Sequence, residues 1–164
     1  MIAKISSSAN LAGALGYNFK KVVSGDASVL LAEGLYANPG GSYTMEEVLS
    51  DMQAAIPKKC RTKNVVFHCS LNPHPDEKLS DEQLTQIAQE YMQTLGYGEQ
   101  PYIVFKHHDI EREHIHIVSL RVNSAGEKIN VANESPITWS ISMDSFPVHP
   151  ARSRGQTPPP PKRT

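Results

Sequence analysis

Two histidines separated by a single residue, His114 and His116 in the segment EHIHIV at 113–118, are the residues in this chain whose spacing most directly implies chemistry. On a β-strand successive side chains alternate between faces, so these imidazoles share one face while Ile115 and Ile117 take the other. Two imidazoles under-coordinate a metal ion. His107, seven residues earlier, offers a third nitrogen donor once a hairpin brings its strand alongside. Three neutral imidazoles that leave coordination positions open form the pattern of a catalytic metal site rather than a closed structural one. Asp109 carries a carboxylate able to orient a ligand histidine through its second ring nitrogen, and its other reading is a turn residue. His68, His74 and His149 are read as loop or surface residues, and His108 as facing away from His107.

The elements that must position these groups are visible as patterns. MIAKIS alternates like a short strand, and ANLAGALGYNFKKV sets Leu11, Ala14, Leu15 and Phe19 on one helical face that starts near Asn10. TMEEVLSDMQAAIP predicts a helix with Thr44 as N-cap, Glu47 completing a capping box and Pro57 as the stop. NVVFHCSL is a strand. LSDEQLTQIAQEYMQTLGYG is a second capped helix, from Ser80 and Gln83 to Gly96. PYIVFKH and HIHIVSLRV, joined by the polar HDIERE, predict a central antiparallel hairpin. Strands interleaved with helices and closing in a hairpin predict an α+β domain of two layers, a mostly antiparallel central sheet with the helices on one face. We expect one domain over residues 1–135 and an irregular, proline-rich tail over 136–164.

Composition narrows the class. The 164 residues are 39% hydrophobic and 20% charged, an ordinary globular mixture. No stretch approaches the about 18 apolar residues that a membrane span needs, so no membrane insertion is expected. Two cysteines, Cys60 and Cys69, are too few for a disulfide framework and point to a cytoplasmic location. The net charge of −1 does not announce a polyanion partner.

The segment HHDIEREHIHIVSLRV resembles the three-histidine motif of the mobilisation relaxases, members of the HUH endonuclease superfamily, and GALGYNFKKV resembles their N-terminal tyrosine motif. VVFHCSLNP followed by LSDEQLTQIAQEYMQTLGYGEQPYIVFKHHD is similar to the middle of that family in order and spacing. The similarity covers about residues 1 to 130 and is nearest to relaxases of Bacteroides-type mobilisable plasmids and transposons. Beyond residue 130 the chain departs from the family, as if the domain were shortened at its C-terminal end.

The resemblance implies Tyr17 as the nucleophile that attacks a phosphodiester of single-stranded DNA, leaving a 5′-phosphotyrosyl link. It implies a divalent ion, manganese or magnesium, on His107, His114 and His116. It further implies site- and strand-specific nicking and joining at a transfer origin, with accessory mobilisation proteins as partners. Lys20, Lys21 and Arg121 are candidates for contacts to backbone phosphates, and Ser70 for a contact near the scissile bond. One rival reading is a metal-bearing single-stranded DNA-binding module without catalysis. Another is a histidine-triad nucleotide hydrolase, which needs a third alternating histidine where Val118 stands.

Overall fold

A computed structural model of the chain describes residues 1–36 and 42–130. The elements run β1 (Ile2–Ser8), α1 (Leu11–Ser24), β2 (Ala27–Glu33), α2 (Met45–Ala55), β3 (Val66–Asn72), α3 (Asp81–Thr94), β4 (Tyr102–His107) and β5 (His114–Leu120). The sheet order is β1-β3-β5-β4-β2 with every neighbouring pair antiparallel. The fold is α+β, and the β4–β5 hairpin stands at its centre as the period-two runs predict.

Local chemistry sets the boundaries. The Asn10 side chain accepts the backbone N–H of Gly13 and starts α1. Capping boxes Thr44/Glu47 and Ser80/Gln83 start α2 and α3. Gly25, with φ of 86°, ends α1 in the left-handed conformation that a side chain would disfavour.

The helices divide between the two faces of the sheet, where the sequence suggested one. Leu11, Leu15 and Phe19 of α1 and Val48 and Met52 of α2 pack with Val66, Ile103, Phe105, Val118 and Leu120. Phe105 lies opposite His116 in the β4–β5 register, so this is the histidine face. On the other face, Leu84, Ile87, Ala88, Tyr91 and Met92 of α3 cover Phe67, Cys69, Leu71, Val104, Ile115 and Ile117. The physical reason is in the inner strands: VFHCSL, IVF and IHIV carry apolar residues at both parities, so both faces need cover. No helix among the described residues is long and apolar enough to cross a membrane. Of the expected segments, the tail at 136–164 lies outside the described residues, as does His149.

Candidate metal and nucleophile site

The hairpin register sets His107 directly across from His114, with His116 one same-face step further along β5. One ring nitrogen from each residue lies within 4.8 Å of the others. Ring centroids are 4.1 Å apart for His107 and His116, 5.2 Å for His107 and His114, and 5.0 Å for His114 and His116.

Each imidazole is tied through its other nitrogen to a different part of the fold. Asn18, fully buried on α1, donates its amide N–H to the Ala14 carbonyl. Its Oδ1 therefore faces His107 Nε2, at 2.7 Å, as an acceptor, and the His107 proton sits on Nε2. His107 Nδ1 is left bare, buried and without a partner among the described residues. His114 Nδ1 donates to the Arg112 carbonyl at 3.1 Å, leaving Nε2. His116 Nδ1 meets His68 Nε2 at 3.0 Å. A buried polar atom without a partner is rare in a folded protein, and a divalent cation bound by three imidazoles would satisfy it. The residues fit such an ion.

Two of the donors are held in the form that binds metal. Burial, reinforced by the neighbouring histidines and Lys21, pushes His107 down to about 4 and His116 down to about 3. In an unfolded chain a histidine titrates near 6.5. Between those values the unfolded chain holds more protons than the folded one, so stability falls as pH is lowered through that window and is insensitive to these groups above it. We expect the melting temperature of the metal-free protein to be level from pH 8 to 7 and to drop from about pH 6.5 downward. A level melting temperature between pH 7 and 5 would show that these rings are not buried neutral.

Asn18 makes a second test. Asn18→Leu keeps the volume but leaves the His107 Nε2–H buried without an acceptor, which costs about 1–3 kcal/mol. Loss of such a partner behind a ligand also lowers metal affinity by about 10- to 100-fold. Thermal melting and manganese titration of this variant should both move; an unaltered pair of values would deny Asn18 the clamping role.

Tyr17 stands over the cluster. Asn18 points inward from α1, and its neighbour Tyr17 is 52% exposed, with its ring centroid 6.2 Å from that of His107 and 6.3 Å from that of His116. One turn on, Lys21 sets its ammonium 4.9 Å from the Tyr17 ring centroid. Lys21 also forms an ion pair with Asp109. That contact holds the carboxylate below its ordinary range and, with a smaller contribution from the Tyr17 hydroxyl, the lysine above its own. His108 anchors this arrangement: its N–H donates to the Asp26 carbonyl and its Nε2 meets the Gly25 carbonyl, pinning the hairpin loop to the end of α1.

Other expected site residues fall at different distances from this centre. Asp109 meets Lys21 and no histidine, because Asn18 already occupies the position behind His107. Lys20 is exposed on α1. Ser70 lies across from His116 on β3, accepting from Asn72 Nδ2. Arg121 is 8% exposed and donates to the Asn64 carbonyl. It lies beyond the far end of β5, five residues past His116 and roughly 16 Å along the strand, away from the three histidines. The sequence carries no expectation for Asn18 at the site, and it reads His68 as a loop or surface residue; His68 instead lies within β3, two residues before Ser70 and on the same face, against His116.

The family model of the relaxase MobA/VirD2-like nuclease domain matches residues 17–140, a stretch that begins at Tyr17, contains all three histidines and covers well over half of the chain. No curated protein and no solved structure matches it. With the tyrosine, the three histidines and the central hairpin all inside the matched stretch, the chain belongs to the relaxase family of MobA/VirD2-like nuclease domains.

Proposed function

We propose that this domain nicks and rejoins one strand of DNA at a transfer origin in the cytoplasm, beginning mobilisation or conjugative transfer. The observation that carries the reading is the Tyr17 ring, exposed beside His107 and His116. The Tyr17 oxygen attacks a phosphorus of single-stranded DNA. The new O–P bond is the 5′-phosphotyrosyl link, the bond from phosphorus to the 3′-oxygen breaks, and that oxygen leaves as a 3′-hydroxyl, gaining a proton as the Tyr17 hydroxyl gives one up. Because the phosphoester is kept, the same hydroxyl can attack in reverse and reseal the strand.

His107, His114 and His116 would hold the divalent ion, manganese or magnesium, which would supply charge neutralisation at the phosphate. Asn18 fixes the His107 ring. Lys21, held by Asp109 beside Tyr17, meets the backbone phosphate as a cation, with Lys20 further out on the same helix. Ser70, across from His116 on β3, contacts the strand next to the scissile bond. Residues 1–135 form the nuclease domain, and accessory mobilisation proteins present the single strand.

Incubation with labelled single-stranded origin DNA and manganese, followed by a denaturing gel, should show a covalent protein–DNA band. A domain that binds the strand yet forms no band is a binding module, and the catalytic reading falls.

A further inference from the structure

We infer that His68 is a positioning residue of the metal site: it fixes the His116 ring in the one tautomer that can face a cation. The inference rests on the metal site of the proposed function and extends it to a residue outside the three histidines.

His68 lies on β3 across from Val118, so it reaches His116 diagonally on the same face of adjacent strands. Its Nε2 is 3.0 Å from His116 Nδ1, and the ring centroids are 5.1 Å apart with planes inclined by 31°. The contact has two polarities with opposite consequences. If His68 Nε2 carried the proton and donated it, His116 Nδ1 would be the acceptor, and the neutral His116 ring would carry its hydrogen on Nε2, blocking the nitrogen that remains for the cation. If instead His116 Nδ1 donates, Nε2 is bare and available. This second polarity requires His68 to keep its own hydrogen on Nδ1.

The next strand supplies a partner for it. Ser6 is the register partner of His68 on β1, and its hydroxyl oxygen lies 3.4 Å from His68 Nδ1. A serine oxygen accepts with two lone pairs while its own hydrogen turns to solvent, since Ser6 is exposed. The chain Ser6, His68, His116 therefore assigns a role to each nitrogen and ends with His116 Nε2 bare. It completes a set in which α1 orients His107 through Asn18, the hairpin loop orients His114 through the Arg112 carbonyl, and β3 orients His116 through His68.

The test uses the whole chain and metal alone, without DNA. His68→Phe keeps a ring of similar size but has no acceptor, and His68→Gln places a side-chain oxygen where Nε2 stands. Manganese affinity, read by electron paramagnetic resonance titration, should fall about 10- to 100-fold in the Phe variant and return to within a few-fold of the unaltered protein in the Gln variant. In the zinc-loaded protein, nitrogen NMR of the imidazoles should show His116 protonated on Nδ1. Circular dichroism of the metal-free variants should overlay that of the unaltered chain.

Equal manganese affinity in the Phe and unaltered proteins overturns the inference while leaving the three-histidine site intact. So does a His116 ring bound to zinc through Nδ1. An unaltered chain that binds no divalent ion overturns both the inference and the metal site beneath it. A DNA adduct that fails to form in a chain that binds manganese touches the proposed function alone.

Discussion

Tyr17→Phe should abolish the covalent DNA adduct while leaving fold and metal affinity where they were. The substitution removes one oxygen from a side chain that is 52% exposed, so the stability change stays within about 0.5 kcal/mol. The ring remains under the Lys21 ammonium, so the contact between Lys21 and the ring and the ion pair to Asp109 both persist. The other tyrosines are poorly placed to substitute. Tyr91, Tyr97 and Tyr102 are at most 3% exposed and belong to the core on the α3 side of the sheet. Tyr43 packs against the core between the sheet and α1 and α2. Tyr36 is 82% exposed but follows the end of β2 that pairs with Tyr102, the end of β4 away from His107. The measurement is a denaturing gel on labelled single-stranded DNA with manganese, beside a manganese titration of the same sample. A band of undiminished intensity from the Phe variant would move the nucleophile elsewhere and leave Tyr17 as a surface aromatic.

The parts of this site that depend on short-range periodicity were legible, and the parts that depend on distant pairing were not. His114 and His116 share a face because strands alternate, and His107 joins them because a polar loop between two apolar runs makes a hairpin. Helix starts at Asn10, Thr44 and Ser80 follow from side chains that cap their own backbone. Asn18 and His68 reach their histidine partners across 89 and 48 residues of sequence, and no local pattern encodes those meetings. Asp109 shows the converse. A carboxylate two residues from a ligand histidine is a sound candidate for orienting it, but the register turns His107 toward α1, where a buried amide was already in place. The carboxylate is left to the lysine one turn beyond Tyr17. Arg121 is a similar case: charge suggests surface, yet the residue is buried and bonded to the Asn64 carbonyl. The two-sided distribution of helices was present in the inner strands, whose apolar residues occupy both parities.

Replacing the histidines one at a time should separate metal binding from folding, because the three sit in unequal surroundings. Each alanine variant loses a donor, so manganese affinity should fall by at least about 100-fold, above the upper end of what removing a partner behind a ligand does. Adduct formation should fall with it. Metal that binds only the folded chain raises its stability by about 2.7 kcal/mol at a concentration 100 times the dissociation constant, so the unaltered protein should melt at a higher temperature with manganese than without. That increment should vanish in all three variants. Their metal-free stabilities should differ, however. His107 is fully buried, and His107→Ala leaves a cavity and strands the Asn18 oxygen, a loss of about 1–3 kcal/mol for the unpaired group alone. His114 lies at the rim with 9% exposure, and water entering the space left by His114→Ala can reach the Arg112 carbonyl, so the metal-free chain should melt close to the unaltered one. His114→Ala is therefore the cleaner probe of ligation, since its metal-free fold is the least disturbed. If the manganese-dependent rise in melting temperature survives in His114→Ala and in both of the others, the ion binds elsewhere. The orphaned nitrogen of His107 would then need another explanation.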